Sequence, residues 1–311
     1  MGTPYFASQD VNPYDLLVQG DSDEWKKQTD RWNRDGKGLL GSNGLDAALK
    51  IRPHLHELEE LGPDFAKRWE SYFARYPDKP IAWISCSPRV PVDDLAKTLG
   101  VDASTKFISG SYYLMYPSST GSIHASSDDV YAPLDFDTGF LKELADLATL
   151  RWAFKKSLEI VRRLPCFRGV IPSMQPSFPE GSAALIKETK PVDIAAPKLI
   201  FTEEDDAAID EYHRKSVRTN WHSLGTCAMR PREQGGVVDH RLNVYGVQRL
   251  KITDLSIAPD NVNAVRHPDF QSCRFDSGSK LKHFQNTYST AIAIGEKAAV
   301  LIAEELGIDL A

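Results

Sequence analysis

The sequence predicts an α+β fold. Three segments place apolar side chains every three or four residues, as amphipathic helices do: 63–76, 139–164 and 287–306. Three short runs of β-branched and aromatic residues, bounded by proline, serine or glycine, are typical of strands: 81–86, 111–116 and 121–125. With 311 residues and 41% hydrophobic content, the chain can bury one substantial core or two modest ones.

The composition argues against nucleic acid and membranes as partners. Lys and Arg number 37 and Asp and Glu number 43, which gives a formal net charge of −6. No stretch approaches the roughly 18 apolar residues of a membrane helix, and the mean hydropathy is −0.36. Residues 1–10 have neither the basic start nor the apolar run of a secretory signal. We therefore expect a globular protein with a diffuse acidic surface.

No metal site is expected. The four cysteines stand singly and without C-x-x-C spacing, which favours reduced structural thiols: Cys86, Cys166, Cys227 and Cys273. His54 and His56 could present two ligands on one face of a strand. The proline before them and the acidic residues after them indicate the start of a helix instead.

A glycine-rich run at 36–41 formally matches the dinucleotide-binding fingerprint. That fingerprint works only after a buried strand, where glycines let the backbone approach a pyrophosphate at a helix N-terminus. The preceding residues, 28–35, are too polar for such a strand. We interpret the run as a loop.

The predicted elements follow in order. In 63–76, Phe65, Trp69 and Phe73 share one helical face, and Pro77 ends the run. The strands at 111–116 and 121–125 are expected to be neighbours joined by a turn at 117–121.

Three further helices are predicted. The long pattern at 139–164 stops before Pro165. Thr202 and the acidic residues after it resemble a capping box that opens a helix to about residue 218. The last helix, 287–306, is rich in small residues and has Gly307 as its C-terminal cap.

The most informative block lies near the C-terminal end. Residues 219–229 (TNWHSLGTCAM) are followed by 235–239 (GGVVD), 241–246 (RLNVYG) and 250–259 (LKITDLSIAP). In this order and spacing the block resembles the C-terminal signature of the glucose-methanol-choline (GMC) oxidoreductases. Upstream segments are similar to alcohol oxidases of that family: 113–133, 165–170, 178–184 and 202–210. The stretch Asn286-Thr-Tyr-Ser289 favours the methanol and short-chain alcohol oxidase branch.

The resemblance implies a specific domain organisation. Residues 1–218 would form part of the substrate domain, a mixed or antiparallel sheet flanked by helices. Residues 219–311 would carry the active-site and FAD-contacting segment, with the terminal strand (250–253) and helix of an incomplete FAD-binding α/β domain. The family's N-terminal FAD-binding domain, with its genuine strand, glycine-rich turn and helix, is expected to be absent.

The resemblance also assigns catalytic residues. Hydride leaves a carbinol carbon more easily as the hydroxyl proton departs, so the reaction needs a base. Imidazole, with a reference pKa of about 6.5, is competent near neutral pH, and His222 stands at the family's catalytic position. Asn286 would hydrogen-bond the alcohol oxygen, and Trp221 would wall a small substrate pocket.

FAD is the implied cofactor, and Asp254, Asn286 and Thr287 are its implied contacts. The positive end of the last helix could stabilise reduced, anionic flavin. Each residue also has a structural interpretation. Asn286 could simply cap the last helix, and Asp254 could cap the turn formed by residues 255–257.

A 21-residue segment, 265–285, separates residue 264 from Asn286 inside the active-site motif. It shows no apolar periodicity, begins with Val and ends with Gln. We hypothesise an unspliced intron translated in frame; the alternative is a real surface loop. Both interpretations put the placement of Asn286 in question.

The sequence therefore predicts an FAD-dependent oxidoreductase that converts primary short-chain alcohols and dioxygen to aldehydes and hydrogen peroxide. The main alternative is an inert fragment or subunit without its own flavin site. A weaker one is an aryl-alcohol or sugar oxidase or dehydrogenase of the same family. By resemblance, the chain could form a homo-oligomer and reside in peroxisomes or the cytoplasm.

Overall fold

The computed structural model describes residues 1–45, 47–90, 94–261 and 287–309. The strands are β1 (Gly2–Ala7), β2 (Ala48–Ile51), β3 (Ala82–Ser87), β4 (Lys106–Leu114), β5 (Ser122–His124), β6 (Asp135–Asp137) and β7 (Phe167–Val170). The helices are α1 (Asp15–Gln19), α2 (Ser22–Asp35), α3 (Leu58–Ser71), α4 (Leu95–Leu99), α5 (Leu144–Val161), α6 (Glu203–Ser216) and α7 (Tyr288–Leu306).

The chain divides into two compact units. Unit 1 comprises Met1–Ser119 and Leu141–Arg218, and unit 2 comprises Thr120–Phe140 and Thr219–Ala311. The assignment of 1–218 to a substrate domain and 219–311 to a flavin-contacting segment stays a prediction. The division adds that residues 120–140 group with the C-terminal part of the chain and not with their sequence neighbours.

Unit 1 is built on a five-stranded sheet with the order β2-β3-β4-β1-β7. Every neighbouring pair of strands in it is antiparallel. The expected α+β fold with an antiparallel sheet flanked by helices is therefore confirmed. Strand β1 lies between β4 and β7, a central position that the sequence patterns do not predict.

The expected hairpin between 111–116 and 121–125 is wrong. Strand β4 pairs with β1 and β3, whereas β5 pairs with β6. The cause is burial: most of β4 is enclosed and needs a strand on each edge, while every residue of β5 and β6 is exposed.

Helix α5 forms the centre of the main apolar cluster. Twelve of its 18 residues are buried, among them Trp152, Phe154 and Val161. It packs closely on β4 at Gly110, where a Cβ atom would lie 2.8 Å from Val161 Cγ2. The helix predicted at 139–164 is therefore confirmed in its centre, but it begins only at Leu144.

Helix α3 is displaced from the predicted 63–76. It spans Leu58–Ser71, with a break at Gly62, whose φ of 76° is left-handed. Pro63 follows the break, where its missing amide hydrogen costs little. His54 precedes a 3-10 turn that leads into this helix, as the expected helix start requires.

Residues 22–35 form α2, which the sequence analysis does not predict. The Asp21 carboxylate caps it by accepting a hydrogen bond from the Glu24 amide at 2.8 Å. Gly36 ends the helix with a φ of 67°. The glycine run at 36–41 therefore follows a helix and not the strand that the dinucleotide fingerprint requires.

The capping box that opens α6 is confirmed. The Thr202 hydroxyl accepts from the Asp205 amide, and the Asp205 carboxylate accepts from the Thr202 amide. Later in the helix, Asp210 pairs with Arg151 of α5 at 2.6 Å. The acidic first turn interacts favourably with the positive end of the helix dipole. Among the described residues, no cluster of potential metal ligands occurs.

Unit 2 contains the β5–β6 hairpin, an irregular segment at 219–261 and α7. The strand predicted at 250–253 is wrong, because Lys251 forms only an isolated bridge with Asn243. Leu242 and Arg249 have φ values of 67° and 59°, and these left-handed residues prevent a longer ladder.

The terminal helix is confirmed. It spans Tyr288–Leu306 and is capped by Gly307, whose φ is 68°. Across the described ranges, no helix has the combination of length and apolar content needed to cross a membrane.

A buried histidine makes unit 1 sensitive to acid. His213 of α6 is 0% exposed, and its Nε2 lies 2.9 Å from the hydroxyl of Tyr112 on β4. Burial lowers the pKa of His213 to about 3. The unfolded chain binds this proton below about pH 6.5 and the native chain does not, so the stability contribution is present above pH 6.5 and lost as the pH falls toward 3.

We expect the free energy of unfolding to fall by up to about 1.4 kcal/mol per pH unit below pH 6.5 through this one group. Urea unfolding between pH 8 and pH 5 measures it. His213→Gln, which keeps a partner for Tyr112 but cannot titrate, should flatten the slope. His56→Gln, at an exposed position of the same unit, is the control. Equal slopes in the wild type and His213→Gln would contradict the assignment.

Candidate active site

The segment that carries His222 is anchored by backbone hydrogen bonds to residues 255–257. The amides of Gly225, Cys227 and Met229 donate to the carbonyls of Leu255, Ser256 and Ile257 at 3.3, 2.8 and 2.8 Å. Gly225 has a φ of 87°, and a Cβ there would lie 3.2 Å from the Ala258 carbonyl. The glycine of the motif therefore lets the two segments approach each other.

A turn held by Asp239 supports this pair of segments. Its carboxylate accepts from the amides of Arg241 and Asn243 at 2.8 and 2.9 Å. Burial raises the pKa of Asp239, but the hydrogen bonds from Asn243 and Arg241 outweigh that effect and keep the pKa below its usual value. The adjoining Val238 is fully buried.

Helix α7 packs on this support through a small apolar cluster. Ile294, Ala298 and Leu301 on one face of the helix meet three buried residues of the irregular segment: Val238, Leu242 and Ile257. The cluster fixes the middle of the helix against the turn and against the segment that anchors His222.

The C-terminal end of α7 is held by charge. The Lys251 ammonium donates to the Arg241 carbonyl at 3.0 Å, to Asn243 Oδ1 at 2.7 Å and to Glu305 Oε1 at 2.9 Å. The bond from Lys251 is the largest influence on the Glu305 carboxyl and lowers its pKa. Because the lysine side chain is largely buried, the contact ties the last turn of α7 to the 241–251 loop.

The N-terminal end of the same helix meets His222. Thr287 Oγ1 lies 3.1 Å from His222 Nδ1, and both residues are partly buried. Thr287 occupies the N-cap position, yet its hydroxyl makes no capping hydrogen bond. Two residues that the sequence analysis assigns to the site are thereby brought together.

Asp254 lies at the start of the turn at residues 255–257. Its carboxylate accepts from the Ser256 amide at 2.8 Å, and the side chain is exposed. The capping interpretation therefore describes what this carboxylate does in the structure. Its contact with FAD stays a prediction.

Trp221 precedes His222 with its side chain 83% exposed. Its φ of 56° is left-handed, which costs roughly 1–2 kcal/mol for a residue with a Cβ. The role of Trp221 in a substrate pocket stays a prediction. Asn286 and the insertion 265–285 lie outside the described residues, so their expected roles also stay predictions.

The roles of Asp239 and Lys251 were not predicted from the sequence. Asp239 carries a usable signal, because an aspartate side chain often accepts a hydrogen bond from the backbone two residues on, as it does here from the Arg241 amide. Lys251 carries a weaker signal, because a lysine inside an apolar run indicates a specific partner for its ammonium group. Its partner Glu305 is 54 residues away and could not be found from local pattern.

Comparison with known proteins identifies the family. Residues 117–267 match the family model described as GMC oxidoreductase. An alcohol oxidase from Candida boidinii is 36% identical over 350 aligned positions, which cover 98% of this chain and 49% of that protein. The chain belongs to the GMC oxidoreductase family. The resemblance found in the sequence is thus confirmed.

Other GMC relatives give the same picture. The alcohol oxidase from Pichia angusta is 37% identical over 98% of this chain and 49% of its own length. The chain therefore spans about half the length of the curated relatives that it matches.

Solved structures share the fold at lower identity. A formate oxidase from Aspergillus oryzae superimposes with a TM-score of 0.61 at 16% identity, over 98% of this chain and 46% of its own. An FAD-dependent oxidoreductase from Chaetomium thermophilum gives a TM-score of 0.60 at 16% identity, over 99% and 47% of the two chains. These similarities confirm the fold class.

The contacts of Lys251 should contribute to the stability of α7. Lys251→Met keeps the aliphatic stem but removes three hydrogen bonds, so we expect α7 to be destabilised by about 1–3 kcal/mol. Faster hydrogen exchange of the amides in 288–306 would report it. Lys297→Met, on the helix itself and outside this cluster, is the control. Unchanged exchange in Lys251→Met would show that the apolar cluster alone holds the helix.

Proposed function

We propose that this GMC chain supplies the catalytic base of an FAD-dependent alcohol oxidase, and that His222 is that base. The single observation that carries the proposal is the contact between His222 and Thr287 at the N-terminus of α7. It joins the imidazole of the family's C-terminal motif to a helix end, where an anionic group is favoured. The alcohol oxidase relatives at 36 and 37% identity support the substrate class.

The donor groups at this helix end fit a flavin. The first amides of any α-helix lack intrahelical acceptors, and in α7 the Thr287 side chain does not cap them. These amides would help to hold the bound flavin, with Asp254, Asn286 and Thr287 as the further expected contacts. When bound, FAD supplies the hydride acceptor and delivers the electrons to dioxygen, which yields hydrogen peroxide.

The chain's own residues then perform proton transfer and positioning. His222 accepts the hydroxyl proton of the alcohol at Nε2 while the hydride leaves the same carbinol carbon, so a primary alcohol becomes an aldehyde. The exposed indole of Trp221, held in a strained left-handed conformation, would shape the alcohol pocket. Asn286 would hydrogen-bond the substrate oxygen.

The outer face of α7 supports its place in a flavin-binding domain. Five residues at three- and four-residue spacing are exposed on it: Ile292, Gly295, Ala299, Ile302 and Leu306. A Cβ at Gly295 would meet no atom within 4 Å. An apolar stripe of this kind is suited to packing against another layer, which supports the assignment of α7 to an α/β flavin domain.

Replacing the base tests the proposal. We expect His222→Gln to lower kcat/KM by about 10²- to 10⁴-fold in the FAD-loaded protein, because general-base catalysis contributes that much. Peroxide production across the C1 to C4 primary alcohols measures it. His124→Gln, at an exposed position of the same unit, is the matched control.

Two outcomes contradict the proposal. One is a His222→Gln variant whose activity stays within about threefold of the control, since a general base contributes far more. The other is a purified protein that shows no flavin absorbance after FAD addition, which would support the inert alternative. Activity on aryl alcohols or sugars, with none on short alcohols, would move the substrate to another branch of the family.

A further inference from the structure

We infer that Thr287 is a positioning residue that holds the imidazole of His222 in one tautomer, with the proton on Nδ1 and the lone pair on Nε2. The catalytic meaning of this inference rests on the proposed role of His222 as a base. The contact between the two side chains rests on geometry, and the choice of tautomer rests on that proposed role. The two side chains are 65 residues apart in sequence and meet at 3.1 Å.

The hydroxyl of Thr287 is committed to His222 and not to its own helix. A threonine at an N-cap usually accepts a hydrogen bond from an amide two or three residues later. Here the residue has helical backbone angles, φ −73° and ψ −8°, and its side chain makes no such bond. Its carbonyl accepts from the Ala291 amide at 2.9 Å, so the backbone already belongs to the helix.

The direction of the hydrogen bond follows from the chemistry. Neutral imidazole has one N–H donor and one acceptor nitrogen, and the partner of one nitrogen selects the tautomer. A base that takes a proton at Nε2 needs that nitrogen free, so Nδ1 carries hydrogen and donates to Thr287 Oγ1. When Nε2 is protonated, Nδ1 still donates. A hydroxyl acceptor therefore suits both states of the base.

Threonine is well suited to this task. Its β-branched side chain has few χ1 rotamers, so the hydroxyl direction is largely set by the backbone. The backbone is set by α7, which is held by the apolar cluster and by Lys251. Valine has nearly the same shape without the acceptor, and serine keeps the acceptor with less restraint, so the two substitutions separate hydrogen bonding from packing.

The tautomer can be measured directly on the full chain. In protein labelled with ¹⁵N-histidine, long-range proton-nitrogen correlation spectra distinguish the two neutral tautomers, and His222→Gln assigns the signal. We expect the neutral imidazole of His222 to carry its proton on Nδ1. Thr287→Val should shift a substantial fraction to the Nε2-protonated form, and Thr287→Ser should restore the wild-type pattern.

Two results overturn the inference. One is a wild-type His222 protonated on Nε2. The other is the same tautomer in the wild type and in Thr287→Val, provided that hydrogen exchange shows α7 intact in the variant. A threonine that serves only the helix would change exchange without changing the tautomer.

Steady-state kinetics of Thr287 variants test whether the orientation of the imidazole affects catalysis. We expect Thr287→Val to lower kcat by about tenfold, within the range that misorienting a base can cost, with KM changed less than about threefold because the substrate contacts remain. Thr287→Ser should regain most of the rate. If His222→Gln leaves alcohol oxidation intact while the tautomer still depends on Thr287, the proposed function fails and the positioning survives.

Discussion

Helix α7 is held at its middle by apolar packing and at its C-terminal end by the Lys251 ammonium, and the candidate site depends on both. Ile294, Ala298 and Leu301 fix the helix on the irregular segment, and Lys251 ties Glu305 to the 241–251 loop. A helix restrained in this way has a defined N-terminus. The contacts of α7 with the irregular segment therefore set the distance at which Thr287 meets His222.

The irregular segment beneath α7 is ordered by hydrogen bonds and not by regular secondary structure. Residues 225–229 and 255–257 pair through their backbones, and Asp239 closes the turn between them. Such an arrangement suits a site that must present a side chain precisely, since the amides of Gly225, Cys227 and Met229 each have a defined carbonyl partner. In unit 1 the antiparallel sheet and α5 provide a conventional core, with His213 and Tyr112 as its buried polar pair.

Local signals in the sequence predict helices better than strand pairing. The capping box at Thr202 and the cap at Gly307 identify the ends of α6 and α7, because caps are made by residues close in sequence. Strand partners are set by burial across the whole unit. The pairing of β4 with β1, about 100 residues earlier, was therefore missed, as was the separation of β5 from β4.

In the candidate site too, local contacts could be predicted from the sequence and contacts between distant residues could not. The resemblance to the GMC family gave His222 and Thr287 as candidate site residues, but their contact spans 65 residues in sequence and required the structure. The capping bond between Asp254 and Ser256, in contrast, joins residues close in sequence and was anticipated. Lys251 was missed since its partners are the loop carbonyl of Arg241 and a glutamate on the last helix.

The N-terminus of α7 presents Thr287 to the imidazole of His222. A crystal structure of the full chain at high resolution would give the distance between Thr287 Oγ1 and His222 Nδ1. We expect these two atoms to lie at hydrogen-bond distance, about 2.7–3.2 Å apart. A separation beyond about 4 Å, or an imidazole bonded through Nδ1 to another group, would contradict it.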